Sequence, residues 1–255
     1  RVEVDGRACI RCGRCITACR HGAREYLDDT DRFFDDLAAG EPIDLIISPT
    51  FFALYPDEAS RILGYLKTLG VGHFYHADLG AVIAAWCYLG YLDEIGPAQS
   101  AGTEPLAHVC PAFTKYIEHQ SPDVLARLAP IHTPHMCMAV YLHEYMHVSA
   151  KLALLSPCIA AKGEVDSPRT GEIISYSLTY HHLMEHIDRH DLGNRKAICE
   201  TLPLDTTAII PPTERLMGNL EWVLPPESMI LEIAGLSAAV SNVPATIDNL
   251  NSHGV

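Results

Sequence analysis

The sequence predicts an α/β fold in which helices flank parallel or mixed sheets in two lobes, preceded by a small cysteine-rich module. A buried strand at 43–49, which ends at a proline, and a second strand at 71–76 alternate with an amphipathic helical pattern at 56–69 and a second helix at 79–95. This strand–helix–strand–helix alternation is typical of a parallel sheet. Four of the nine cysteines lie within eleven residues near the N-terminus, which sets that segment apart from the rest of the chain.

The remaining elements are predicted in chain order from periodicity and from glycine and proline positions. An acidic link around a short helix at 32–39 joins the module to the first strand, and a Gly/Ser/Pro-rich loop occupies 96–105. The predicted strands are 106–110, 151–156 and 171–179, and the predicted helices are 111–117, 122–128, 133–147, 181–190 and 226–236.

Composition excludes several classes of function. The chain carries a formal charge of −14, which argues against nucleic acid as a partner and is compatible with a basic redox partner. No apolar run reaches the length of a membrane span. Nine cysteines without a signal-peptide pattern predict reduced thiols and a cytoplasmic location.

The N-terminal cysteines follow the spacing C-x2-C-x2-C-x3-C at Cys9, Cys12, Cys15 and Cys19. This is the ligand run of a ferredoxin-type 4Fe–4S cluster, and Gly13 allows the backbone to approach it closely. Zinc sites usually divide their ligands into two distant pairs, and two disulfides in so short a run would be strained. Residues 1–30 are therefore predicted to be a ferredoxin-type module, the C-terminal half of one, in which Cys19 closes this cluster or binds another.

Two further cysteines, Cys110 and Cys158, lie beside prolines at predicted strand ends. Ligands bind at the carboxyl edge of an open parallel sheet, so two thiolates there could hold a metal cofactor between lobes. Free cysteine is also among the most buried residue types, so composition alone leaves packing as the alternative.

Three segments carry a resemblance to a known family. The run from Leu155 to Glu164 resembles the second active-site signature of the iron-only (FeFe) hydrogenases, and His108-Val109-Cys110-Pro111 resembles the first. Thr133-Pro134-His135-Met136-Cys137 is similar to a segment between them, and the cysteine run with its continuation resembles the junction of the sensory-type branch. The order is collinear over most of residues 1–200.

The resemblance implies an enzyme that reduces protons and oxidises dihydrogen, with a ferredoxin-like or other redox partner. Its cofactor in the complete protein would be the H-cluster, a 4Fe–4S cube joined to a di-iron unit, for which Cys110 and Cys158 match two ligands. Glu164 and Thr133 match steps of a proton path. Lys162 stands beside Ala161, where a cofactor-binding lysine is expected, and could substitute for it.

The departures from the family pattern open alternatives. Val109 stands where active members carry a proton-delivering cysteine, and a third, cysteine-rich signature is absent, with only Cys199 after Cys158. We expect residues 43–255 to be a hydrogenase-like catalytic domain that is incomplete at its C-terminus. The alternatives are a non-catalytic redox or hydrogen-sensing module, and a simple carrier fused to an unrelated α/β domain.

Two short histidine motifs offer a different hypothesis. His143-Glu144-Tyr145-Met146-His147 has the H-E-x-x-H pattern of zinc peptidases, and His182–His186 has its inverted form. In a chain with 14 histidines such matches arise readily by chance, so a zinc metallopeptidase is the less favoured interpretation.

Overall fold

The computed structural model describes residues 4–6, 8–100 and 105–189. Cys199 and the helix predicted at 226–236 lie outside these residues. Within the described part of the chain, no helix combines the length and apolarity that crossing a membrane requires.

The centre of the fold is a four-stranded parallel sheet with the order β2-β1-β3-β4. Its strands are β1 (Ile43–Ile47), β2 (Phe74–His76), β3 (Lys151–Ser156) and β4 (Ile174–Thr179). Ile47 pairs with His76 on one side and with Leu155 on the other, and Leu155 pairs with Leu178. The strands therefore end in register, and the residues that follow them share one edge of the sheet.

Helices connect and cover these strands. They are α1 (Arg14–Thr17), α2 (Thr30–Ala38), α3 (Thr50–Leu54), α4 (Ala59–Thr68), α5 (Asp78–Ser100), α6 (Pro111–Gln120), α7 (Pro134–Val140), α8 (Ala161–Val165) and α9 (Tyr180–Arg189). Shorter 3-10 turns lie at Pro122–Arg127 and Pro168–Thr170, and a π turn at Tyr141–Tyr145 continues α7.

The two faces of the sheet carry separate apolar cores because side chains alternate along each strand. Leu45 and Ile47 belong to a core that includes Phe33 of α2, Leu63 of α4 and Leu183 of α9. The opposite face belongs to a second core, to which α7 contributes Met136, Met138 and Ala139. Burying both faces fixes the parallel sheet and confirms the predicted α/β class.

Helix α5 lies very close to α7 at Gly80. A Cβ built on Gly80 would lie 2.0 Å from the carbonyl oxygen of Pro134 and 2.8 Å from Met138 Cβ. Glycine is required here because any side chain would push the two helices apart.

Several elements differ from the sequence prediction. The loop predicted at 96–105 begins later because α5 continues to Ser100, and the helix predicted at 122–128 is a 3-10 turn over Pro122–Arg127. Residues 106–110 were predicted to form a strand, but they make only an isolated bridge between Leu106 and Leu128, since no sheet strand lies beside them. Cys110 therefore does not end a strand; it precedes the first residue of α6. The helix predicted at 133–147 leaves α geometry after Val140.

The change in helix geometry bears on the H-E-x-x-H motif. The π turn ends at Tyr145, and His147 has a positive φ of 51°. His143 and His147 therefore do not share the face of one regular α-helix, which is the arrangement that zinc binding by this motif needs. The His143 ring instead contacts the neighbouring Glu144 carboxylate at 2.8 Å, and both side chains are exposed.

The inverted motif on α9 is also engaged otherwise. His182 contacts the carboxylate of Asp28 at 3.0 Å and stacks on Tyr26, with ring centroids 4.4 Å apart. His186 stacks on Phe34 at 3.6 Å. These rings join α9 to the segment that follows the cysteine run.

Candidate functional site

The cysteine run forms a loop that turns around Gly13 and the single turn of α1. Gly13 has a φ of 75°, a conformation that favours glycine. The backbone N–H of Arg11 donates to Cys9 Sγ at 3.3 Å. Hydrogen bonds from the backbone of Ala23 and His21 lower the pKa of Cys19. The backbone thus favours the thiolate form, which is the form that binds iron.

The sulfur atoms of the run are not gathered around one point. In the described ranges, no three histidine, cysteine, aspartate or glutamate side chains are placed to hold a metal ion together. Cys12 and Cys15 are exposed, whereas Cys9 and Cys19 are half-buried. The donor set still fits a 4Fe–4S cluster, because four thiols at this spacing and N–H groups directed at two sulfurs are what such a cluster requires.

One face of the cysteine loop packs against the residues that follow β3. A Cβ built on Gly13 would lie 3.2 Å from Cδ1 of Ile159, the neighbour of Cys158. The Arg11 side chain lies over Gly163, where an added Cβ would be 3.3 Å from its Cδ. The N-terminal loop and the Cys158 segment are therefore in direct contact, although about 145 residues separate them in the sequence.

An ion-pair chain of alternating charge holds this contact. Arg11 lies 3.5 Å from Asp166, and Asp166 lies 2.5 Å from the ammonium of Lys162. Lys162 also contacts Asp29 at 3.0 Å, and the Asp29 carboxylate accepts a 2.9 Å hydrogen bond from the backbone of Ser177 on β4. The chain thus runs from between the cysteines of the loop to the central sheet.

This arrangement shows where the structure places Lys162. Adjacent residues on an α-helix point about 100° apart, so Lys162 cannot take the direction of Ala161. Ala161 is buried in the second core, while the Lys162 ammonium binds two carboxylates. The cofactor-binding role predicted for Lys162 would require it to leave both partners.

The structure brings together Cys110 and Cys158, the two cysteines predicted to bind the cofactor. Burial raises the pKa of Cys158, and negative charge on Cys110 and on Glu164 raises it further, while N–H groups of Ala160 and Ala161 oppose the shift. Both thiols are half-buried. Cys110 stands before α6 and Cys158 follows β3, so two separate connections converge on this position.

Glu164 and Thr133, the predicted proton-path residues, are directly hydrogen-bonded. The Thr133 hydroxyl donates to Glu164 Oε2 at 2.8 Å, and Thr133 itself is 3% exposed. Burial raises the pKa of Glu164 to about 7, although the hydroxyl and N–H of Thr133 oppose the shift. A carboxyl group with this pKa can both accept and release a proton near neutral pH.

Cys137 lies near Glu164 on the inner side of α7. Burial raises the pKa of Cys137 to about 12, and negative charge on Cys87 and Glu164 contributes to the shift. The thiol is therefore neutral at physiological pH and donates to the carbonyl oxygen of His132 at 3.4 Å.

A group of hydroxyls at the carboxyl edge of the sheet was not predicted from the sequence. Thr50 Oγ1 lies 3.2 Å from Ser48 Oγ and 2.8 Å from the hydroxyl of Tyr180. Ser48 follows β1 and Tyr180 follows β4, so both occupy the edge at which ligands bind in parallel sheets. The Ser-Pro pair directly after a buried strand was the signal in the sequence that could have indicated this position.

Comparisons of the sequence and of the structure with known proteins both find hydrogenases. The chain is 23% identical over 192 residues to the NADP-reducing hydrogenase subunit HndD of Solidesulfovibrio fructosivorans, a match that covers 66% of this chain and 32% of that protein. The fold is similar to an FeFe-hydrogenase described for oxygen inactivation of its H cluster 2Fe subcluster, with a TM-score of 0.54 and 16% identity. A variant of the FeFe-hydrogenase HydA1 from Chlamydomonas reinhardtii gives a TM-score of 0.53 and 15% identity.

Each structural match covers 64% of this chain and 48% of the other. The chain thus spans about a third of the curated relative and about half of the solved structures. A 4Fe–4S binding domain model matches residues 2–25. The model of the iron only hydrogenase large subunit, C-terminal domain, matches residues 47–209, and the chain therefore belongs to the iron-only hydrogenase large-subunit family.

Proposed function

We propose that this chain is an iron–sulfur redox protein that couples dihydrogen and protons to one-electron transfer through a 4Fe–4S cluster held by Cys9, Cys12, Cys15 and Cys19. Residues 1–30 form the electron-transfer module and residues 43–255 the hydrogenase-like domain. The observation that carries the proposal is the contact between the two: the cysteine loop packs on Ile159, next to Cys158.

The packing supports electron exchange between the two regions. The distance an electron must travel is short because Gly13 brings the loop backbone against the residue adjoining Cys158. The ion-pair chain from Arg11 to Asp29 links the loop to the central sheet. A single-electron carrier at one end and a thiol pair at the other are the parts that such a reaction needs.

The family's cofactor, when bound, supplies the making and breaking of the H–H bond. The described residues offer it two thiols, Cys110 and Cys158, which is half of the ligand set that a cube requires. The chain's own contribution is proton handling, because Glu164 holds a proton with a pKa near 7 and Thr133 orients its carboxylate.

A specific observation favours a second function, hydrogen sensing with little turnover. Val109, beside Cys110, has no titratable atom, and burial raises the pKa of Cys137, which lies near Glu164, to about 12. Slow proton delivery would allow the cluster to respond to hydrogen without sustained catalysis.

Anaerobic reconstitution with iron and sulfide tests the electron-transfer part. We expect about four iron atoms per chain in the N-terminal cluster and loss of its EPR signal in the Cys12→Ser variant. Cys87→Ser, at another exposed cysteine outside the run, is the matched control and should keep both the iron content and the EPR signal. Equal iron content in the two variants would refute the assignment.

Hydrogen-dependent dye reduction by the protein loaded with the family cofactor tests the hydrogen reaction. Sustained turnover, reduced at least about 100-fold by Glu164→Gln, supports catalysis. Reduction of the cluster by hydrogen, seen by EPR without sustained turnover, supports sensing. If hydrogen causes neither dye reduction nor reduction of the cluster, the chain acts as an electron carrier only and the proposed hydrogen chemistry is wrong.

A further inference from the structure

Arg11 has an unusual backbone conformation within the cysteine run. Its φ is 55°, in the left-handed region that residues other than glycine rarely adopt. Strained conformations of this kind persist where surrounding contacts hold them, and they cluster at functional sites. In this conformation the Arg11 N–H donates to Cys9 Sγ at 3.3 Å, while the side chain reaches α8. The charge of Arg11 is therefore carried by the cysteine run itself.

The Arg11 side chain lies on the backbone of α8. A Cβ built on Gly163 would lie 3.3 Å from Arg11 Cδ, 3.6 Å from Nε and 3.8 Å from Cζ. The absence of a side chain at Gly163 thus lets the guanidinium group lie close to the helix. Arg11 Nη1 lies 3.5 Å from Asp166 Oδ2, and the two side chains are 41% and 42% exposed. A positive charge on the run is thereby paired with a negative charge on the residue that follows α8.

Asp166 has a second partner that does not depend on Arg11. Its Oδ1 accepts from the Lys162 ammonium at 2.5 Å, and Lys162 also contacts Asp29 at 3.0 Å. Without the Arg11 charge, the Asp166 carboxylate would still be held by Lys162. With Asp166 neutralised, Lys162 would still be paired with Asp29. Each charge of the Arg11–Asp166 pair can therefore be removed separately.

We propose that Arg11 and Asp166 are opposing charges that set the reduction potential of the N-terminal cluster, Arg11 raising it and Asp166 lowering it. This inference rests on the proposed function in requiring that the cysteine run holds a 4Fe–4S cluster. Reduction adds one electron, and hence one negative charge, to the cluster. A positive charge beside the run stabilises the reduced cluster, and a negative charge stabilises the oxidised one.

An anaerobic redox titration followed by EPR measures the midpoint potential of the reconstituted cluster, with dithionite supplying the electrons. The variants are Arg11→Gln, Asp166→Asn, their combination, and Arg11→Lys. Lys151→Gln is the matched control, because Lys151 is also 41% exposed and pairs with Glu41 at 3.0 Å. Lys151 begins β3, so the length of that strand, about 16 Å, separates it from the Cys158 segment.

The two single variants should change the potential in opposite directions. At the wild-type midpoint, Arg11→Gln should lower the ratio of reduced to oxidised cluster about three- to tenfold, and Asp166→Asn should raise it by a similar factor. A tenfold change corresponds to about 59 mV for a one-electron couple. The double variant loses one charge of each sign, so its ratio should return to within about twofold of wild type. Arg11→Lys and Lys151→Gln should match wild type, and both shifts should shrink at about 0.5 M salt because the pair is partly exposed.

The signs of the shifts separate an electrostatic role from a structural one. If the pair only held the loop in place, loss of either partner would shift the potential in the same direction, and the double variant would lie no closer to wild type. That result, or equal potentials in wild type and Asp166→Asn, would overturn the proposal. Asp166 lies outside the run, so its variant decides the question even if Arg11→Gln forms no cluster. Absence of a cluster in wild type would instead refute the proposed function, and this proposal with it.

Discussion

The buried carboxyl group of Glu164 leads to a prediction about how stability depends on pH. Burial raises its pKa from 4.5 to about 7, so the folded protein holds a proton that the unfolded chain loses above pH 4.5. A group with a raised carboxyl pKa favours the folded state at low pH, and this contribution declines as pH rises toward the folded pKa. Between pH 4.5 and 7 the free energy of unfolding should therefore fall because of this residue.

The size of the effect follows from the shift. At about 1.4 kcal/mol per pH unit, the difference between a pKa of 4.5 and one of about 7 corresponds to about 3 kcal/mol of stability. This stability is lost progressively between the two pKa values, and the free energy contributed by Glu164 does not change further at higher pH. Glu164→Gln keeps the shape of the side chain and an oxygen that accepts from Thr133, but it cannot ionise. The variant should match wild type near pH 4.5 and exceed its stability at pH 8 by up to about 3 kcal/mol.

Urea unfolding of wild type and Glu164→Gln at intervals from pH 4.5 to 8 measures this difference. Infrared spectroscopy provides a direct check, because the protonated carboxyl band of wild type should titrate near pH 7 and be absent from the variant. Thr133→Val is the second control: it removes a hydroxyl that lowers the Glu164 pKa, so the transition should move to higher pH. Stability curves that run parallel in wild type and Glu164→Gln would refute the reasoning.

Three further predictions concern packing and ion pairs. Gly80→Ala should destabilise the protein by about 1–3 kcal/mol, because the added Cβ would overlap the backbone of α7. Gly90→Ala, on the same helix but with open space around the added Cβ, should stabilise the protein by up to about 1 kcal/mol. Chemical denaturation measures the free energy of unfolding of both variants. Tyr75→Phe should cost about 1–2 kcal/mol, since the buried Asp44 carboxylate loses the Tyr75 hydroxyl at 3.3 Å; a cost near zero would contradict this. Arg11→Gln should change global stability by less than about 1 kcal/mol, because its ion pair is exposed, yet amide hydrogen exchange in residues 8–19 should become faster and lose its salt dependence.

The central strands could be predicted from sequence because their signals are local. β1 is apolar apart from Asp44, β3 contains the apolar run 152–155, and a Ser-Pro pair follows each run; both strands occupy the positions predicted. Residues 106–110 have a similar apolar composition, but a strand also needs a neighbour with which to pair. That neighbour is a property of the whole fold, which is why the prediction of a strand there was wrong.

The candidate site likewise has local features that the sequence shows and long-range contacts that only the fold shows. The spacing of the four N-terminal cysteines and the order of the later segments are visible in the sequence, whereas the partners of Lys162 are not. Its contact with Asp29 spans 133 residues, and only the folded chain brings the two together. Helix geometry could have indicated that a lysine at 162 does not replace one at 161, because the two positions point in different directions.

The described residues form a more complete route for electron transfer than for proton transfer. Electrons have an accessible cysteine loop, a fixed contact with Ile159 and an ion-pair chain that maintains it. Protons have the hydrogen-bonded pair of Glu164 and Thr133, but next to Cys110 the chain offers a valine. Catalysis and sensing share the electron route and differ only in how fast protons must arrive, because a sensor needs one exchange per signal and an enzyme needs one at every turnover. The choice between the two functions therefore depends on the surroundings of Val109 and Cys137 rather than on the cluster.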